Sequence, residues 1–136
     1  MNNQIKQIIE IDKNLEITSN QTLGFVINKL NVSKIKIVFI IENKKVIGSI
    51  TDGDIRRSIV KNISISTPID KIMNKKPILI CLSENRVLNK IEQIVKKKKI
   101  LIFPVVDDNN KYLGFVRYEN FKKKLILSSK KYDVII

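Results

Sequence analysis

Histidine and tryptophan are missing from this 136-residue chain, and cysteine appears once, as Cys81. Without histidine, Ser-His-Asp hydrolysis and most zinc sites have no place in it. A nucleophilic cysteine needs an activating base, so Cys81, set in the apolar run Ile78 to Leu82, reads as a buried small hydrophobe. A single cysteine makes no internal disulfide, which removes the stapled secreted folds. Aromatic residues are 6% of the chain, and none alternate with arginine as a base-stacking platform requires. No apolar run approaches the roughly 20 residues of a membrane span. Met1-Asn-Asn-Gln lacks the charged-then-apolar pattern of a signal peptide. The expectation is a cytoplasmic protein with no catalytic residues, no membrane segment and no metal; Asp107-Asp108 supplies two acids without a third ligand.

Positive charge is what the chain has in excess. Lysine and arginine number 26 against 13 aspartates and glutamates, a net charge of +13. Such a balance raises nucleic acid or an anionic surface as a partner. The charge is nearly all lysine, scattered through a chain also rich in isoleucine and asparagine, which reads as compositional drift. Lys96 to Lys99 and Lys122 to Lys124 fall at predicted helix ends, where cations complement the helix dipole. Nucleic-acid binding therefore stays as the lesser alternative. A hydrophobic content of 43% is enough for the core of one domain or two very small ones.

The stretch Gly48-Ser-Ile-Thr51-Asp52-Gly53-Asp54-Ile-Arg56-Arg57 carries the chemistry. An apolar strand, Ile37 to Ile41, leads through a hairpin turn, Glu42-Asn43-Lys44-Lys45, to a return strand, Val46 to Ile50. A helix pattern follows from about Asp52 to Lys61, with Ile55, Ile59 and Val60 expected inward. Thr51 or Asp52 is a good N-cap. The first turn offers unpaired N–H groups and a partial positive charge, which suit a phosphate. Asp54 is the kind of acceptor that pairs with ribose hydroxyls. Arg56 and Arg57 either neutralise a polyphosphate tail or form a solvated helix face.

Elsewhere, Ile5, Ile8, Ile9 and Ile11 make an apolar lead-in, readable as a helical turn or an extended edge. Thr18-Ser19-Asn20 signals a helix start before the face Leu23, Val26, Ile27 and Leu30. After Ser66-Thr67-Pro68 the order repeats. Ile69, Ile72 and Met73 form a short apolar turn and Ile78 to Leu82 an extended run. Ser83 is expected to cap a helix faced by Val87, Leu88, Ile91, Ile94 and Val95. Strands over Ile100 to Val106 and Tyr112 to Val116 flank a turn, and Phe121 and Leu125 share a final helix face. Gly48 and Gly114 stand 66 residues apart, as do Ile55 and Phe121, whereas Ser19 and Ser83 stand 64 apart. This internal repeat predicts two small halves, too small to stand alone and packed sheet to sheet.

Gly48, Ile50, Thr51 and Asp54 fill the pattern G-h-x-[TS]-x-x-D, and by it the chain resembles a tandem CBS domain pair (a Bateman module). Ile72-Met73-Asn74 with Pro77, and Phe103-Pro104-Val105-Val106-Asp107, are similar to other signposts of that family. The longer string T-D-G-D-I-R-R resembles the pairs attached to bacterial sugar-nucleotide nucleotidyltransferases and to sugar-phosphate isomerases of the arabinose-5-phosphate type. The resemblance implies an α/β (α+β) fold of two β-α-β-β-α repeats related by a pseudo-two-fold, at 1–64 and 65–127, with 128–136 a tail. It implies an adenine nucleotide ligand (AMP, ADP or ATP), with Thr51 on phosphate, Asp54 on ribose, Gly48 in the motif, and an adenine wall near Lys36, Ile37 and Val38. Thr18 and Ser19 would close over the base.

In the second copy Arg117 replaces the threonine and Asn120 the aspartate. Arg117 would pair with Glu119 or reach a phosphate on the first copy, and one good site per chain is expected. The family also implies a homodimer and a regulated enzyme, foremost a nucleotidyltransferase, in cis or in trans. The run Tyr132-Asp133-Val134-Ile135-Ile136 resembles the strand that, in such enzymes, precedes a glycine-rich triphosphate loop. The alternatives are a ligand-free dimerisation module and the regulatory pair of an isomerase.

Overall fold

Two three-stranded sheets, each with its strands side by side in chain order, organise the chain. The computed structural model describes residues 5–84, 87–98 and 100–123. They fall into two compact bodies, one of residues 12–78 and 110–112, the other drawn from 5–11, 79–109 and 113–123. The fold class is α+β, as expected.

In the first body a 3-10 turn, Lys13–Leu15, leads into β1 (Glu16–Ile17), α1 (Leu23–Val32), β2 (Ile37–Glu42), β3 (Lys45–Thr51) and α2 (Asp52–Val60). β1 runs parallel to β2, with Ile17 beside Ile40. β2 and β3 form a hairpin, pairing Ile37 with Thr51 at one end and Glu42 with Lys45 at the other. Asn43 and Lys44 hold φ of 50° and 67°, the left-handed pair that matches strand twist in a two-residue hairpin. Ile17, Leu23, Val26, Leu30, Val38, Ile40, Ile50, Ile55 and Ile69 close one hydrophobic core.

Two helix expectations are corrected here. α1 begins at Leu23, capped by Thr22, whose hydroxyl accepts from the Phe25 N–H. Thr18-Ser19-Asn20 is a turn instead, with the Thr18 hydroxyl donating to the Asn20 side chain at 2.6 Å. In α2 only Ile55 and Ser58 are buried, whereas Ile59 is 59% and Val60 81% exposed. The helix ends at Val60, so its last turn passes beyond the core. Ser58 tolerates burial because its hydroxyl donates to the Asp54 carbonyl at 2.9 Å.

In the second body β4 (Ile80–Cys81) pairs in parallel with β5 (Ile102–Val106), and β6 (Tyr112–Arg117) completes the sheet, its first residue grouping with the first body. Residues 118–123 are helical. α3 (Val87–Lys98) buries Ile91 and half-buries Ile94 and Val95. Phe103, Val105, Phe115, Val116 and Phe121 are buried as well. The Ser83 hydroxyl donates to the Asp108 carboxylate, and the helix start it was expected to cap lies outside the described residues. The side chains of Val87 and Leu88, Leu125 and the 132–136 run lie outside the described residues.

The lead-in turns out to be both things it resembled. Residues 5–6 are helical, and Glu10 then bridges Phe115 through two backbone bonds of 2.8 and 2.9 Å. Asn74 bridges Ser49 in the same manner, at 2.9 and 3.1 Å. Each body thus receives an extended segment beside the glycine of its last strand, and the close approach excludes a side chain there. A Cβ on Gly48 would stand 2.5 Å from Met73 Sδ, and one on Gly114 2.5 Å from the Glu10 carbonyl oxygen.

Candidate functional site

The junction of β3 and α2 is set by a reciprocal cap. The Asp54 N–H donates to the Thr51 hydroxyl at 3.3 Å, and Asp54 Oδ2 accepts from the Thr51 N–H at 2.9 Å and its hydroxyl at 3.1 Å. A threonine followed three residues on by an acid makes this box from sequence alone. The other carboxylate oxygen, Oδ1, accepts from Arg57 Nη2 at 2.6 Å. Asp54 is 20% exposed and Arg57 66%. Arg56 turns to Asp52 instead, at 3.1 Å.

Among the first-turn N–H groups, that of Asp52 donates to the Lys36 carbonyl at 3.2 Å and that of Asp54 to Thr51. The Gly53 N–H has no partner among the described residues. Across Gly53 lies the Arg57 guanidinium, whose Nη1 and Nη2 stand 3.3 and 3.6 Å from where a Cβ would be. A free N–H, a hydroxyl and a guanidinium therefore converge beside a carboxylate. The free N–H and the spare guanidinium donors can hold phosphate oxygens, the Thr51 hydroxyl can do so once its proton leaves Asp54 Oδ2, and the carboxylate can accept from a diol.

Ile37 pairs with Thr51, so the start of β2 belongs to this end of the sheet. Ile37 and Val38 are buried, which leaves backbone, rather than side chains, to face a ligand. The Lys36 ammonium is committed to the end of α1, donating to the Leu30 and Ser33 carbonyls at 2.7 and 2.8 Å. Gly48 lies further along β3, against Met73.

Thr18 and Ser19 are not brought to this end. The parallel register of Ile17 with Ile40 carries them toward Glu42, and the Ser19 hydroxyl donates to the Glu42 carboxylate. Five residues of strand, about 16 Å, separate Glu42 from Ile37. The reason is the direction of β1: residues after it travel toward the hairpin, and residues before it flank the motif. The 3-10 turn Lys13–Leu15 therefore takes the place assigned to Thr18 and Ser19. Asp12 caps that turn by accepting from the Asn14 N–H at 3.0 Å, an Asp-x-Asn signal legible in the sequence but not used.

Arg117 lies in the other body and is held by Glu10, not by Glu119. Its Nε and Nη2 donate to the two carboxylate oxygens at 2.7 and 3.1 Å. These bonds raise its pKa further above the ordinary arginine value. Asp108 accepts from Ser83 and, at 3.5 Å, from the Cys81 thiol, and the Ser83 bond holds its carboxyl below the usual range. Among the described residues no group of three or more potential ligands could hold a metal ion, and no helix is long and apolar enough to cross a membrane.

A profile of the CBS domain matches the chain twice, over residues 5–61 and 69–126. Arabinose 5-phosphate isomerase GutQ of Salmonella typhi is 32% identical over 80 residues, 59% of this chain and 24% of that protein. Inosine-5'-monophosphate dehydrogenase of Bacillus subtilis is 30% identical over 106 residues, 78% of this chain and 21% of that protein. The chain spans about a quarter of the length of the curated relatives it matches. Among solved structures, the CBS domain pair of protein MJ0100, in complex with 5'-methylthioadenosine and S-adenosyl-L-methionine, is 25% identical. It superposes with a TM-score of 0.68 over 93% of this chain and 96% of that one. A CBS domain protein of Pyrobaculum aerophilum, complexed with AMP, shares the fold at 16% identity, with a TM-score of 0.66 over 78% of this chain and 81% of that one.

Proposed function

Because the chain belongs to the CBS-domain family, as two tandem copies, we propose that it is a regulatory module that binds an adenine nucleotide at its first copy. The observation that carries this reading is the Thr51–Asp54 box with the unpartnered Gly53 N–H beside it. Asp54 accepts from the ribose hydroxyls, Gly53 donates to the phosphate, and the Thr51 hydroxyl turns from Asp54 Oδ2 to the phosphate as the ribose takes its place. The base lies along the backbone at the start of β2, between it and the Lys13–Leu15 turn. Adenosine-based ligands in two proteins of this fold support the choice of base. AMP, ADP and ATP all fit the proposed donor set.

The module acts by holding two arrangements of different nucleotide affinity and so biasing a partner enzyme. An isomerase acting on a sugar phosphate is the favoured partner, because relatives at 32% identity carry that name. The dehydrogenase acting on inosine monophosphate is the second. A nucleotidyltransferase, first expected from T-D-G-D-I-R-R, finds no support in these relatives. Exposed Ile59 and Val60 at the end of α2 favour a homodimer formed through that helix.

The test is a thermal-shift titration of the chain with AMP, ADP, ATP, GTP and a pyrimidine nucleotide, beside Asp54→Ala. Ligand at about 100 times its dissociation constant stabilises by about 2.7 kcal/mol, several degrees for a domain of this size. A shift with adenine nucleotides that Asp54→Ala abolishes supports the reading. No shift with any of them replaces it with a ligand-free dimerisation module.

A further inference from the structure

Arg57 has two anions to choose between, and only one is present without ligand. Its guanidinium folds back over one turn of α2, bonds Asp54 Oδ1 at 2.6 Å and lies beside Gly53. A ribose diol that donates to both oxygens of the Asp54 carboxylate competes with Thr51 at Oδ2 and with Arg57 at Oδ1. A Cβ at Gly53 would stand 3.3 Å from Nη1 and would press the guanidinium outward by a few tenths of an ångström.

Resting on the nucleotide reading above, we propose that Arg57 is the residue that makes the site select phosphate-bearing ligands, by exchanging Asp54 for the ligand's phosphate as the ribose takes Oδ1. A nucleoside monophosphate or polyphosphate returns an anion to the displaced guanidinium, so the charge pair is traded rather than lost. A nucleoside without phosphate breaks the Arg57–Asp54 pair and gives Arg57 nothing. The same atoms thus disfavour adenosine and favour AMP, ADP and ATP. Arg56 has no part in the exchange, because it is paired with Asp52 one turn away.

Calorimetric titration of the full chain with adenosine, AMP, ADP and ATP tests this, using the native protein, Arg57→Gln, Arg56→Gln and Lys61→Gln. Lys61 lies past the far end of α2, so its variant removes one charge without touching the motif. For Arg57→Gln, affinity for the three phosphate-bearing ligands falls about ten-fold, one charge-assisted bond, while adenosine binds at least as tightly as before. An equal loss for adenosine and AMP would make Arg57 a structural cap and overturn the proposal. So would an equal effect from Arg56→Gln, or from Lys61→Gln, which would point to overall charge. If the native chain binds AMP and Asp54→Ala abolishes that binding, yet Arg57→Gln leaves the adenosine-to-ATP series unchanged, this inference alone fails. If the native chain binds none of the four, both readings fail together.

Discussion

Arg117 holds Glu10 with two parallel hydrogen bonds, 2.7 Å from Nε and 3.1 Å from Nη2. Arg117 occupies the position that Thr51 has in the first copy, and Glu10 the position of Asn74. Where Asn74 turns its side chain to the Lys76 backbone, Glu10 puts a carboxylate beside the strand-to-helix junction. Both partners are 36% exposed, so the pair contributes about 1 kcal/mol and less as salt rises. Arg117→Ala should lower the urea midpoint accordingly, with the loss shrinking in 1 M salt. With the guanidinium already committed, calorimetry should find one nucleotide per chain; two would mean that Glu10 yields to a phosphate.

The two motif glycines should differ in their tolerance of alanine. A Cβ on Gly48 meets the flexible end of Met73, 2.5 Å from Sδ, with the Asn74 carbonyl oxygen at 3.1 Å. A Cβ on Gly114 meets the Glu10 carbonyl oxygen, which is backbone, and φ there is +143°, a region alanine rarely enters. Overpacking of the first kind costs about 1–3 kcal/mol. Gly114→Ala adds backbone strain and should be the more destabilising in chemical unfolding. Equal midpoints for the two variants would contradict this account.

The repeat was legible in the sequence because its periodic apolar faces and its glycines recur at nearly constant offsets. Thr51 and Asp54 were legible because a capping box is local. Thr18 and Ser19 were misassigned because their position depends on β1 running parallel to β2, a long-range pairing that no local pattern records. Ile59 and Val60 follow Ile55 at helical spacing, and nothing in their chemistry says that the core ends one turn earlier. Glu10 and Arg117 stand 107 residues apart, and only the bridge of the lead-in to β6 brings them together. One equivalence shows only in three dimensions. Ser19 bonds Glu42 and Ser83 bonds Asp108, so each copy ties the turn after its first strand to the hairpin side of its second.

Tyr112 is the one described residue with a buried side-chain polar atom that lacks a hydrogen-bond partner. Its ring lies 5.8 Å from that of Phe39. Burial, with Glu16 and Asp12 nearby, pushes its phenol pKa upward. Above about pH 10 the unfolded chain releases this proton while the folded chain retains it, so stability declines as pH rises. Tyr112→Phe removes the unpaired hydroxyl and should stabilise the chain by about 1 kcal/mol. It should also flatten the alkaline limb of a plot of unfolding free energy against pH. A destabilised variant would show that the hydroxyl has a partner in solution.

Asp54 serves the fold and, on the reading proposed, the ligand; its asparagine variant separates the two. Asp54→Asn keeps an oxygen that can accept from the Thr51 N–H and keeps the N–H that donates to the Thr51 hydroxyl, so the cap survives in outline. The charge that pairs with Arg57 and accepts from a ribose is gone. Stability should fall by no more than about 1 kcal/mol, the ordinary range for a weakened N-cap. AMP affinity should fall about ten- to a hundred-fold, the loss of one charge-assisted hydrogen bond. Thr51→Ala breaks the cap from the other side and should cost about 1 kcal/mol of stability, with Thr51→Ser restoring it, because serine retains the hydroxyl that accepts from the Asp54 N–H. Unfolding curves and AMP titrations on the same three variants decide the matter. If Asp54→Asn binds AMP as the native chain does, the carboxylate is a helix cap and nothing more.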